Sequence, residues 1–109
     1  MNVLYAGTPT NSADILKFLA LSKKINIKGV ITQNNKIGKR GNKLIESPVA
    51  IEAKTHKIPV FMPTDLNEDE FKKTLDSLNI DILLVVAYGR IIPEWLLKLP
   101  KLYPINIHF

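Results

Sequence analysis

The sequence predicts an α/β domain built on a doubly wound parallel sheet, and three observations carry that prediction. Residues 82–87, Ile-Leu-Leu-Val-Val-Ala, are apolar without alternation, the pattern of a strand covered on both faces. Short apolar runs alternate along the chain with segments of helical periodicity, which implies right-handed crossovers between parallel strands. Gly7, Gln33, Gly89, Arg90 and His108 all fall at or just past the carboxyl ends of the proposed strands. In open parallel sheets that edge is where ligands bind, so a site location follows before any chemistry is assigned.

Taken in order, Val3-Leu4-Tyr5-Ala6 is a short buried strand stopped by Gly7. Asn11 or Ser12 can cap the helix that follows, and Ile15, Phe18 and Leu19 form its apolar face at helical spacing. Residues 25–31 are rich in Ile and Val and read as a second strand, after which 33–43 is polar, basic and aperiodic, a loop. Ser47-Pro48 starts a helix, because proline at the first helical position lacks only an N–H that had no partner there. That helix ends near His56, and Pro59-Val60-Phe61 is a brief strand. Asn67 with Glu70 resembles a capping box, with Phe71, Leu75 and Leu78 as the buried stripe of the third helix. After the central strand, Tyr88-Gly89-Arg90 breaks the run, 93–97 is a short helix, and Ile105 opens a last strand running to Phe109.

Composition narrows the class. The chain has 109 residues, 46% of them hydrophobic and 23% charged, which suits one ordinary globular domain rather than a disordered one. It has no cysteine, so there is neither a disulfide framework nor a thiolate metal site, and no metal is expected. The apolar runs are far short of the ~20 residues that span a bilayer, and the first residues lack the basic flank of a signal peptide. A cytoplasmic monomer without membrane partners is the expectation. The net charge of +5 is unevenly placed: eight basic residues and no acid lie between Ile15 and Ile45. Such a patch suits an anionic partner, a nucleic acid or a phosphorylated ligand, with a plain lysine-rich surface as the alternative.

Three motifs carry candidate chemistry. Ala6-Gly7-Thr8-Pro9 is a tight strand-to-helix turn but not a dinucleotide fingerprint, since G-x-G-x-x-G is absent. Lys36, Lys39, Arg40 and Lys43 crowd the long loop, with Gly38 and Gly41 loosening it. A loop of this kind can follow a phosphate backbone, or it can simply be solvated. Asn106-Ile107-His108 is the sharpest feature, because residues two apart on a strand face the same way. An amide and an imidazole side by side can bond a carbonyl oxygen and stabilise charge as an amine attacks it. A strand-end histidine bonded to backbone is the plain alternative. His56, near Lys54 and Lys57, reads as exposed, and Trp95 as core packing.

Together these segments resemble the N-terminal half of the methionyl-tRNA formyltransferases. The resemblance runs through Ala6-Gly7-Thr8-Pro9, Thr32-Gln33, Lys39-Arg40-Gly41, Ser47-Pro48-Val49, Pro59-Val60-Phe61, Val85-Val86-Ala87-Tyr88-Gly89, Ile92-Pro93 and Asn106-Ile107-His108. It implies a Rossmann-like formyltransferase fold, with residues 1–109 as the N-terminal part of the catalytic domain. It also implies transfer of a formyl group from 10-formyltetrahydrofolate to the amino group of methionyl initiator tRNA. On that resemblance Tyr88, Gly89, Arg90, Ile91 and Ile92 hold the folate, largely through backbone groups. Asn106 bonds the formyl oxygen, and His108 stabilises the tetrahedral intermediate and moves protons. Lys36, Lys39, Arg40 and Lys43 contact the tRNA, and Gly7, Thr8, Pro9 and Asn11 line the acceptor pocket.

Two departures from the family pattern bear on that expectation. Thr10-Asn11 stands where the family often carries an aromatic residue against the methionine side chain. The family's catalytic aspartate and C-terminal tRNA-binding domain have no counterpart in these residues, so the chain by itself is expected to be inactive and only marginally stable. A formyltransferase acting on nucleotide-linked amino sugars, and a non-catalytic RNA-binding or folate-binding remnant, are the other readings.

Overall fold

The computed structural model describes residues 1–38 and 43–108. Five strands form one parallel sheet: β1 (Asn2–Gly7), β2 (Asn26–Ile31), β5 (Val60–Phe61), β6 (Ile82–Val86) and β7 (Tyr103–Ile107). Their order is β5-β2-β1-β6-β7, so β1 is central and the chain winds first to one side of it and then to the other. The connections are α1 (Thr10–Ala20), α2 (Pro48–Thr55), α3 (Asp69–Asp76) and α4 (Glu94–Lys98). The doubly wound sheet expected from the sequence is the sheet observed.

Side-chain alternation along β1 explains why its whole length must be apolar. Leu4 and Ala6 pack into a core with Leu75 of α3 and Leu96 of α4, whereas Tyr5 packs with Ala13 and Leu16 of α1 and Val49 and Ala53 of α2. Both faces are therefore covered, α1 and α2 lying on one and α3 and α4 on the other. The unbroken apolar run of β6 has the same cause, since Leu83 and Val85 join the first core and Val86 the second.

Several local expectations need correction. Helix α1 begins a turn earlier than Asn11 or Ser12 would allow: Pro9 is its N-cap, and the Asn11 carboxamide only accepts from the Ser12 amide at 3.0 Å. Its buried face is Ser12, Ala13 and Leu16, and Phe18 is 76% exposed, because the helix is rotated to bring small residues against α2. Glu68, not Asn67, caps α3, and no capping box forms. Asn67 Oδ1 instead accepts the Trp95 indole N–H at 3.0 Å. Trp95 is half-buried against the core, edge-on to Phe71. His56 is half-buried as well, its Nε2 2.8 Å from a Glu52 carboxylate oxygen one turn earlier.

The long basic segment contains regular structure. β3 (Lys36–Ile37) and β4 (Leu44–Ile45) pair antiparallel as a separate two-stranded sheet, which two-residue strands without alternation give no periodicity to reveal. β7 starts at Tyr103 rather than Ile105, running through Pro104. Proline is tolerated there because β7 is bonded to β6 alone and needs no donor on its other side.

Candidate active site

A cleft of about 650 Å³ opens where β6 and β7 end. Its walls are the 87–92 segment after β6, Leu97 of α4, and residues 104–108 on and just after β7. Asn106 sits on β7 opposite Val85, His108 follows the strand, and both are exposed to the cleft. The fold thus brings the Asn106 and His108 pair to the 88–92 segment, two stretches that the sequence separates by more than a dozen residues. Ile91, Ile92, Leu97, Ile105 and Ile107 make the lining mainly apolar. Such walls suit a flat heteroaromatic ligand, with backbone polar groups of the irregular 88–92 segment left to fix its orientation.

That segment holds a sharp turn. Ala87 has φ 56°, a left-handed conformation that side chains disfavour, and Gly89 follows at φ 92°. The backbone angle is what favours glycine, and a side chain at Gly89 would in addition have to displace the Gln33 carboxamide. The carbonyl oxygen of Tyr88 accepts two side-chain donors, the Thr8 hydroxyl at 2.7 Å and the Gln33 amide at 3.1 Å. The ends of β1, β2 and β6 are tied together at this atom.

Tyr88 borders the cleft but belongs to the core cluster, where it is 1% exposed. Burial pushes its phenol above the ordinary value, and the nearby Arg90 guanidinium partly opposes the shift. Arg90 in turn donates to the carbonyls of Pro63, at 2.7 Å, and Thr64, at 3.1 Å. Of the five residues expected around the folate, Tyr88 and Ile92 pack with the core and the Arg90 guanidinium is engaged by carbonyls, whereas Ile91 is exposed beside the cleft. Leu97, Ile105 and Ile107 were not foreseen as lining residues. Ile105 and Ile107 alternate with Asn106 along β7 and Leu97 comes from α4, so no single periodic signal marks all three.

The remaining candidates lie around the cleft rather than in it. Gly7 ends β1, packed so that a Cβ would come within 2.7 Å of the Val86 carbonyl. The Thr8 carbonyl accepts from the Val49 amide at 3.3 Å, and that of Pro9 from Ala13 at 3.0 Å, so this turn joins the starts of α1 and α2. Asn11 is exposed at the same edge. Lys36 and Lys43 are exposed on the β3–β4 hairpin, flanked by Ile37, Leu44 and Ile45, which are also exposed. Lys39 and Arg40 lie outside the described residues. Among the described residues no group of His, Asp and Glu side chains is arranged to hold a metal ion, and no helix is long and apolar enough to cross a membrane.

A family model described as formyl transferase matches residues 1–109. The chain belongs to the formyl transferase family. Formyl transferases of this kind draw the formyl group from formyl-tetrahydrofolate derivatives. Solved structures with the same fold include a phosphoribosylglycinamide formyltransferase from Anaplasma phagocytophilum, 20% identical with a TM-score of 0.68. Another, from Bacillus halodurans, is 19% identical with a TM-score of 0.69, and a glycinamide ribonucleotide transformylase from Geobacillus kaustophilus is 18% identical with a TM-score of 0.67. Each is matched over 98% or more of this formyl transferase chain. The chain spans about half the length of those relatives, between 49% and 57%.

Proposed function

We propose that this formyl transferase chain contributes the donor cleft and two catalytic side chains to transfer of a formyl group from 10-formyltetrahydrofolate to methionyl initiator tRNA. The observation that carries the reading is the meeting of Asn106 and His108 with the 88–92 segment in one apolar cleft at the carboxyl edge of the sheet. The Asn106 carboxamide donates to the formyl oxygen, which gains negative charge as the acceptor amine attacks. The His108 imidazole takes up the proton that the amine must lose and returns a proton to the donor nitrogen as its bond to the formyl carbon breaks, releasing tetrahydrofolate. Gly89, Ile91 and Ile92 exclude water and hold the flat end of the donor, whose chemistry is a formyl group on nitrogen.

The tRNA acceptor is supported by the β3–β4 hairpin, which stands apart from the main sheet and exposes Lys36 and Lys43. A second reading places a phosphoribosyl amine in the acceptor position, because the similar solved structures are phosphoribosylglycinamide formyltransferases. In an active preparation that joins this chain to the remainder of the catalytic domain, transfer of labelled formyl from 10-formyltetrahydrofolate, in parallel reactions with methionyl-tRNA and with glycinamide ribonucleotide, separates the two. Label on the tRNA is the expected result. Label on the ribonucleotide alone would overturn the acceptor and keep the donor. Failure of the chain to bind 5-formyltetrahydrofolate by calorimetry would remove the donor cleft as well.

A further inference from the structure

Residues 87–92, which form one wall of the cleft, belong to neither a helix nor a strand. Among the described residues, no backbone group of residues 89–92 bonds another backbone group. The wall is therefore shaped by side chains. Thr8 and Gln33 hold its start through the Tyr88 carbonyl. Its middle is held by one group, the guanidinium of Arg90, whose Nη1 and Nη2 donate to the consecutive carbonyls of Pro63 and Thr64. Those carbonyls make a firm footing, because Phe61 of β5 and Leu66 on either side of them are packed into the same core as Tyr88.

We propose that Arg90 is a positioning residue, a strut that pins the wall of the donor cleft to the segment after β5, rather than a receptor for an anionic part of the ligand. A planar fork with two parallel donors is well matched to two successive carbonyls, and donors already engaged by backbone are poorly placed to seize a carboxylate. Ile91 shows what the strut controls. It is 91% exposed, and it follows directly in sequence the residue that is tied down. Release of Arg90 frees Gly89 and Ile91 to swing, since neither backbone ladder nor buried side chain at 91 opposes the motion, while Ile92 stays packed against the core. The inference rests on the donor-cleft reading for its functional consequence but not for the strut itself.

The test compares two probes, 5-formyltetrahydrofolate and 5-formyltetrahydropteroate, which lacks the glutamate tail. For a strut, Arg90→Ala weakens both by the same factor, about tenfold, and speeds amide exchange across residues 88–92. Arg90→Lys behaves like Arg90→Ala, because a point charge on a flexible stem cannot span two carbonyls. Arg90→Gln, able to reach one carbonyl, is intermediate and guards against a variant that fails to fold. A loss confined to the glutamate-bearing probe would make Arg90 a ligand contact and overturn the proposal. Unchanged exchange across 88–92 in folded Arg90→Ala would overturn it too. If the unsubstituted chain binds neither probe, the donor cleft is refuted, and the exchange measurement still decides the strut.

Discussion

The Gln33 side-chain amide donates to the Tyr88 carbonyl at 3.1 Å, joining the end of β2 to the end of β6 across the intervening β1. β1 adds its own link through the Thr8 hydroxyl to the same oxygen. Gln33→Ala removes one of two bonds and should cost about 1 kcal/mol. Gly89→Ala should cost more, ~1–3 kcal/mol, because it strains a positive φ and displaces the Gln33 amide. Urea unfolding midpoints of the two variants check the order. A Gly89→Ala protein as stable as the original would contradict the turn geometry.

His108 lines the cleft beside Asn106 without a role in packing, since it is exposed. In an active preparation, His108→Ala is expected to lower the rate of formyl transfer by roughly 10²–10⁴ while leaving thermal stability nearly unchanged. Steady-state rates on methionyl-tRNA decide it; turnover like that of the original would cancel the assigned role.

The hairpin lysines make a prediction about salt. Replacing Lys36 and Lys43 together by Ala should weaken tRNA retention on a filter. The slope of log affinity against log salt should also become shallower, by about one to two. A slope that does not move would leave the hairpin a solvated surface.

The start of α2 is held by a buried pair of hydroxyls. Ser47 Oγ accepts the Ala50 amide at 3.0 Å and lies 2.6 Å from Thr32 Oγ1. Ser47→Ala removes the cap and leaves a buried Thr32 hydroxyl without that partner, an expected cost of ~1–3 kcal/mol. Denaturant titration measures it, and Ser47→Thr should recover part of the loss.

Two buried phenols set an alkaline limit. Burial raises the pKa of Tyr5, a hydrogen bond with Ser12 partly opposing it, and burial likewise raises Tyr88 against the pull of Arg90. A folded pKa above the unfolded value means that the neutral phenol stabilises the native state fully below about pH 10. That contribution is lost as pH rises through the folded value. Melting temperature should therefore fall from about pH 10 upward, and less steeply in Tyr5→Phe. A flat profile to strongly alkaline pH would refute the assignment.

The doubly wound parallel sheet was legible because β1 and β6 are covered on both faces and so must be apolar at every position; the strand order was not. Strand periodicity singled out Asn106 and His108, although β7 ends at Ile107 and His108 follows it; their approach to the 88–92 segment comes from parallel pairing of β6 with β7. Caps and helix faces were less legible. Pro9 and Glu68 hold N-cap positions without side-chain bonds, so competition among neighbouring polar residues could not be decided locally. Phe18 was misplaced because its spacing fits the apolar stripe, whereas contact with α2 selects the small side chains. The side-chain bonds of Arg90 to the Pro63 and Thr64 carbonyls were not legible, because those partners lie 27 and 26 residues earlier, a distance that no local pattern encodes.

α1 begins just after the end of β1, at the carboxyl edge of the sheet. The amino ends of α1 and α2 meet at the turn formed by Thr8 and Pro9, and α4 starts beyond the wall of the cleft. The carboxyl edge of the sheet thus carries the positive ends of several peptide dipoles. An ammonium group brought to that edge meets a field that favours loss of its proton. The architecture itself then helps to keep the arriving nitrogen's lone pair free, before any side chain has acted as a base.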